Sequence, residues 1–419
     1  MASTYLVIDL KSFYASVECV RRNLNSLTTK LVVADKSRGS GSICLAVSPK
    51  LKELGVKNRC RLYEIPKEID YIIAKPMMAD YIKVSADIYS IYLKYIAKED
   101  IYVYSIDEVF IDITSYLELY QTDPCSLAKK MIDDVYNTTG ICATVGIGTN
   151  MFLAKVALDI TAKHEKSHMG YLDEDRFKAL IWEHKPITDI WNIGSGIAKR
   201  LEKYNCYTLR DVTKLDEKIL YKEFGKNALF LIDHAYGKES CTIEMCKNYK
   251  SKSKSISHSQ VLDSDYKYDD ALLVVKEMVE TAVLELIDKH LICGHVSLRI
   301  GYTKNKIMPT GMSMKLYEHT ASLNHLREDF IKMFKKTTDE NVLIRQISLG
   351  FGDLILEENQ VYNLFSDVKS LEKEQAILKT IVRIKNKYGK DSIVRGHSLE
   401  EKATTLKRNK LIGGHNARW

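Results

Sequence analysis

The chain opens on a short apolar run, TYLVIDL at residues 4–10, that ends in an acid, and this pattern predicts a buried strand. Residues 12–20 carry helical spacing, with Ser12 placed to cap the first turn. A glycine–serine turn at 37–42 separates strand-like stretches at 31–34 and 43–47. Val84, Ile88, Ile91 and Tyr95 recur at three and four residues and predict a helix over 81–96. In IYVYSIDEVFIDI, residues 101–113, two β-rich runs flank an acidic pair, which predicts antiparallel strands with the acids near their bend. A helix, a strand and a helix are expected at 126–138, 142–148 and 150–163. Elements mixed in this way predict an α+β layer arrangement.

From about 171 to 237 short helical segments predominate. Residues 247–254, KNYKSKSK, hold four lysines and no acid and read as an interdomain tether. A second α+β unit is expected after it, with strands near 255–261, 295–302 and 344–352 and helices near 269–289 and 322–335. Beyond about 356 the chain is charged, and a partly extended tail is expected.

Composition narrows the class. The 419 residues suffice for two to four domains. With 45% hydrophobic and 28% charged residues the chain is neither disordered nor fibrous. No run reaches the length of about 18 apolar residues that a membrane-spanning helix needs. The N-terminus has no basic start or small-residue cleavage site, so a cytoplasmic protein is expected. Nine cysteines form no CxxC pair and are expected as free thiols. The net charge of +7 permits a polyanionic partner without requiring one.

The candidate chemistry lies in three acids. Asp9 ends the first strand, and Asp107 and Glu108 sit at the bend of the later pair. Acids at strand ends cost solvation unless something pairs with them. Three that converge on one sheet edge can hold two divalent cations, the arrangement suited to in-line displacement at phosphorus. Hard carboxylate ligands favour Mg²⁺ over Zn²⁺. On these residues alone a turn aspartate and a solvated hairpin tip explain the pattern equally well.

Three motifs decide between these readings. DLKSFYASVE (9–18), YSIDEVFIDI (104–113) and GIGTNMFLAKVA (146–157) resemble, in order and spacing, signatures of the Y-family (DinB/UmuC-type) translesion DNA polymerases, nearest the UmuC/UvrX-like bacterial branch. The resemblance covers the first 160 residues strongly and the rest more weakly. It implies a multidomain α+β right hand: palm at 1–12 and 80–168, fingers at 13–79, a helical thumb at 169–240, a basic linker at 241–254, a little finger at 255–356 and a tail at 357–419.

The resemblance also implies residue roles. Asp9, Asp107 and Glu108, with the Leu10 carbonyl, would hold two Mg²⁺ ions, for which Mn²⁺ can substitute. A primer 3′-hydroxyl would attack the α-phosphate of a deoxynucleoside triphosphate and release pyrophosphate. Ser12, Phe13, Tyr14, Lys52 and Lys155 fall at nucleotide-binding positions, with Tyr14 under the sugar as a gate against ribonucleotides. Two departures stand out: Lys11, where many relatives have an acid or Asn, and Pro49, where many have Tyr.

WNIGSGIAKRL at 191–201 has the form of a helix-hairpin-helix turn, and Gly194 and Gly196 would let a phosphate approach a helix N-terminus beside Lys199 and Arg200. Lys252 and Lys254 in the tether, and more weakly Arg299 and Lys304, are further candidates for primer-template DNA. In NQVYNLF, Gln360, Leu364 and Phe365 resemble the sliding-clamp-binding peptide of bacterial polymerases. The expected assembly is a monomer without membrane contact, at work on the bacterial nucleoid. Two other readings stay open on sequence: an inactive DNA- or clamp-binding accessory protein, which Lys11 favours, and a two-metal nuclease or palm-type cyclase.

Overall fold

A computed structural model describes residues 3–251, 255–303, 307–364 and 366–417, and divides into two units. The first comprises residues 1–250 with 415–419, the second residues 251–414.

The first unit is built on eight strands: β1 (Tyr5–Leu10), β2 (Leu31–Val33), β3 (Ala46–Val47), β4 (Ile72–Ala74), β5 (Ile101–Val103), β6 (Glu108–Asp112), β7 (Ala143–Gly148) and β8 (Met169–Leu172). Five form a mixed sheet in the order β5-β6-β1-β7-β8, and the other three a small sheet β3-β2-β4. β1 is central and fully apolar apart from its last acid: Leu6, Val7 and Ile8 are completely buried. The helices Phe13–Val20, Met78–Tyr92 and Pro124–Thr139 bury Phe13, Tyr81, Met131 and Val135 in the same core as β1. β8 extends this sheet beyond residue 168, so the sheet reaches into the edge of the stretch, from about 171, where helical segments were expected to predominate. Its four residues are too few to show a strand period beside so many helical segments.

The glycines of β7 set the site's depth. A Cβ on Gly146 would lie 2.1 Å from the Ala154 carbonyl oxygen, and one on Gly148 2.3 Å from the Ala154 nitrogen. The Met151–Val156 helix therefore rests directly on the strand backbone. Gly146→Ala must push that helix away, and an overpacking cost of about 3 kcal/mol or more is expected. Denaturant unfolding followed by circular dichroism measures it, and a loss below about 1 kcal/mol would contradict this packing.

Ser12 occupies the first helix's N-cap position but in the left-handed region, φ 47°, and makes no side-chain cap bond. That expected role fails because the left-handed turn redirects its side chain. The stretch expected to be a free basic tether holds the helix Ile243–Asn248, and Lys247 donates to the carbonyls of Lys98 and Glu99. Lys252 and Lys254 lie outside the described residues.

The second unit holds β9 (Ile256–Tyr266), β10 (Leu291–Tyr302), β11 (Thr310–Thr320) and β12 (Ile344–Leu356), in the antiparallel order β11-β10-β12-β9. The helices Tyr268–Asp288 and Leu323–Thr337 supply Val275, Met278, Val279, Phe330 and Phe334 to the core that covers one face. Side chains alternate across each strand. Val296, Leu298, Ile347 and Leu349 face the core, and the alternate positions leave an open face. Across it the register aligns Ser257 with Gly350, Ser297 and Ser313, and Ser259 with Ser348 and Arg299.

The tail, expected to be partly extended, also holds a long helix. Residues Val368–Tyr388 form a helix that places Leu378 in the second core, with Ile381 and Val382 packed beside it. Past it, the buried acid Glu277 accepts bonds from the Thr404 nitrogen (2.7 Å), the Thr404 hydroxyl and the Thr405 nitrogen. Lys407 pairs with Asp263 at 3.2 Å. Three turns of thin apolar stripe in an otherwise charged segment were the only trace of this in the sequence.

Candidate active site

Strand pairing brings the acids together. Asp9 on β1 lies directly opposite Glu108 on β6, so their Cβ atoms are about 5 Å apart. Asp107 precedes Glu108 in the turn, and its carbonyl accepts from the Leu10 nitrogen at 2.9 Å. Its carboxylate accepts from Ser105 Oγ at 2.7 Å. The three acids and Leu10 thus share one sheet end.

Lysines engage these acids. Lys155 is 6% exposed; its Nζ donates to Glu108 Oε2 at 2.9 Å and lies 3.1 Å from Asp159. Lys163 Nζ lies 2.7 Å from Asp159 and 3.7 Å from Asp9. Asp159, between the two lysines, belongs to a π-helical segment, Ala157–Thr161, a distortion frequent at functional sites. Lys155 was expected to reach the nucleotide. Instead the close packing on Gly146 and Gly148 buries it against Glu108, and Lys163, 40% exposed, has the open position. Lys163 and Asp159 were missed, although Lys155, Asp159 and Lys163 recur every four residues and could have been read as one ion-paired face.

Burial pushes the Asp9 carboxyl up to about 6; Lys163 opposes this, and Asp107 and Glu108 add to it. Burial also raises Glu108, against Lys155. Burial works against the Lys163 charge, yet Asp9 and Asp159 hold its ammonium above the ordinary value. Lys52 is lowered by burial, and its electrostatic neighbours are Asp9, Lys163, Lys11 and Asp107, which places it at the same mouth.

Among the described residues no three metal-ligating side chains form a ready-made cage. The donor set nevertheless fits a hard divalent cation. Glu108 Oε1 is buried, 2.8 Å from Lys155 but out of line for a hydrogen bond, and has no other partner. Crowded buried carboxylates without a cation carry a cost that a metal relieves.

Tyr14 stands beside these acids, its hydroxyl raised by burial and by Asp107. Its ring stacks on Tyr81, with centroids 4.6 Å apart and planes at 16°. Phe13, its ring tilted against Tyr14 with centroids 5.8 Å apart, is core at 2% exposed, so its expected place at the nucleotide is corrected: adjacent helix positions face different directions. Lys11 turns from the acids, with its Nζ 3.2 Å from His168 Nδ1. That removes the one observation that favoured an inactive centre.

Gly194 is the N-cap residue of the Ser195–Glu202 helix, and neither it nor Gly196 has an atom within 4 Å of a Cβ position, so that helix end is open. Lys199 is exposed there. Arg200 turns inward: Nη1 donates to the Glu223 carbonyl at 2.8 Å and the guanidinium covers the Phe224 ring.

Comparison with known proteins settles the family. Residues 8–159 match the impB/mucB/samB family, and residues 253–364 match the C-terminal domain of the same family. The chain is 30% identical over 425 residues to a Bacillus subtilis (strain 168) protein named UvrX for UV-damage repair, covering 98% of this chain and 97% of that one. The chain belongs to the impB/mucB/samB family of Y-family DNA polymerases. This polymerase is also 28% identical over 419 residues to DNA polymerase IV 2 of the same organism, covering 98% of both chains. Its fold resembles a solved Y-family polymerase chimera of Dbh and Dpo4, at 22% identity and TM-score 0.64, covering 84% of this chain and 99% of the other. It is a DNA-directed DNA polymerase of the translesion type, with DNA and deoxynucleotides as substrates, and no helix among its described residues is long and apolar enough to cross a membrane.

Proposed function

We propose that Asp9, Asp107 and Glu108, with the Leu10 carbonyl, hold two Mg²⁺ ions, for which Mn²⁺ substitutes, at the β1–β6 end. The pairing of Asp9 with Glu108 carries this reading. Bound there, the metals would supply charge neutralisation at the phosphates and an activated 3′-oxygen. Lys155 orients Glu108 through its buried pair. Lys163 and Lys52 receive the triphosphate, and the left-handed turn at Ser12 brings backbone close to it. Tyr14 closes the sugar side. Primer extension with Mg²⁺ and deoxynucleotides, wild type against Asp107→Ala, tests the assignment.

The 1–12 and 80–168 segments then act as palm, 13–79 as fingers, 169–240 as thumb and 255–356 as little finger. The open N-terminus at Gly194 and Gly196, with Lys199, grips a phosphate. The open sheet face of the second unit is serine- and glycine-rich, and its aligned positions Ser257, Ser259, Ser297, Arg299, Ser313, Ser348 and Gly350 include no acid. Such a face suits sequence-independent backbone contact. Arg299→Ala is expected to weaken primer-template binding severalfold and to lower the slope of log K against log salt by about one, read by fluorescence anisotropy across a salt series. An unchanged slope would remove Arg299 from the contact set.

The segment with Gln360 and Leu364 serves as the clamp anchor. Val361 and Leu364 are 76% and 100% exposed, a solvation cost that a pocket on a partner would relieve. Phe365, its second anchor, lies outside the described residues. The helix Val368–Tyr388 follows, so this anchor is an internal loop. The protein acts as a monomer in the bacterial cytoplasm, at the nucleoid.

A further inference from the structure

Lys11 follows the metal-site strand, yet its side chain runs across the sheet. Its nitrogen donates to the Cys142 carbonyl at 2.8 Å and its carbonyl accepts from Ser16 Oγ at 2.6 Å, so its backbone is fixed at the β1–β7 edge. Its ammonium reaches Nδ1 of His168 at 3.2 Å. His168 immediately precedes β8, and β7 lies between β1 and β8. Two strand spacings make about 10 Å of backbone separation. A four-carbon stem spans it together with an imidazole; an Asp or Asn at position 11 would stop short.

His168 ends the turn that leaves the catalytic helix. It is held in the left-handed region at φ 57°, its nitrogen donates to the Glu165 carbonyl at 3.1 Å and its carbonyl accepts from the Val145 nitrogen at 2.9 Å. The same turn carries Lys163. Burial, and then the nearby Lys11, keep the His168 ring below its ordinary pKa, so it stays a neutral acceptor. We infer that Lys11 is a positioning residue: its bond to His168 ties the 162–168 turn to the end of β1 and so holds Lys163 where the incoming triphosphate is received. This rests on the assignment of Lys163 to the triphosphate.

Single-nucleotide insertion kinetics on the full chain test it. Lys11→Met is expected to raise the KM for the deoxynucleotide roughly tenfold with kcat within about twofold, because binding is lost before chemistry. His168→Gly removes the acceptor while accepting the left-handed backbone, and is expected to give the same rise. The double variant is expected to be no worse than either single one, since both break one bond. Lys11→Arg, which can still donate to Nδ1, is expected to restore most of the loss. An unchanged KM in Lys11→Met, effects that multiply in the double variant, or a fall in kcat alone overturns the inference. Lys163→Ala separates the two levels. If it raises KM while Lys11→Met does not, the positioning role alone fails; if Lys163→Ala leaves KM unchanged, the triphosphate assignment fails and the inference with it.

Discussion

Asp107→Ala is expected to lower the primer-extension rate by on the order of 1,000-fold, about 4 kcal/mol in the barrier, while the protein stays folded. The geometry makes this acid the cleanest of the three to remove. Glu108 is the partner of the buried Lys155, so its loss would leave that ammonium with Asp159 alone and cost stability as well as activity. Asp9 is the partner of Lys163 and lies deeper. Asp107 stands in the turn, and its side chain accepts from Ser105 Oγ, a bond local to the turn, so truncation removes charge from the mouth and little else. Circular dichroism and a thermal melt should match wild type. Extension within tenfold of wild type in a folded Asp107→Ala protein would take this acid out of the catalytic set. The same variant should still bind primer-template, because the open sheet face and the Gly194 helix end are untouched.

How much of this was legible in the sequence depends on whether a feature is local. The acids were legible because β1 and β6 are short and largely apolar, with Asp9 near the end of one and Glu108 at the start of the other, and antiparallel pairing does the rest. The π-helical turn and the role of Lys155 were not. Whether a helical lysine reaches outward or inward depends on how close its helix sits to the sheet, and that distance is set by Gly146 and Gly148, nine and seven residues away. Lys163 was hidden for the same reason: TAKHEKS offers two lysines, and only the turn geometry selects one. β11 was missed because TGMSMKLYEHT alternates Met with Ser, Lys and Gly rather than with β-branched residues. The C-terminal helix was missed because its apolar contribution is a narrow stripe around Leu378, which only the neighbouring core makes meaningful.

Lys11 shows what an unusual residue can mean once its surroundings are known. By sequence it placed a cation next to a metal site, where it would compete with the ions. In the fold the side chain leaves that site and bonds to a neutral ring in the turn that precedes β8. Departure from a motif therefore does not by itself weaken the chemistry; it shifts the question to what the new side chain reaches.

Tyr14→Ala is expected to reduce discrimination against ribonucleotides by at least roughly 100-fold, about 2.7 kcal/mol, with deoxynucleotide insertion affected much less. A gate works only if its wall does not yield to one extra oxygen, and the structure shows why this wall is stiff. Tyr14 is stacked on Tyr81, which is completely buried. The Tyr81 hydroxyl donates to Glu18 Oε1 at 2.8 Å, and Glu18, itself buried, is held by Arg22 and by Arg21 at 3.6 Å. Glu18 stands one helical turn after Tyr14, so the brace and the gate share one rigid element. The measurement is the ratio of kcat/KM for a deoxynucleotide to that for the matching ribonucleotide on one primer-template. A ratio unchanged in Tyr14→Ala would mean that the sugar is sensed elsewhere. Tyr81→Phe keeps the stacked ring and loses the anchor, so a smaller fall, about tenfold, is expected there; a fall as large as that of Tyr14→Ala would place the selectivity in the anchor rather than in the ring.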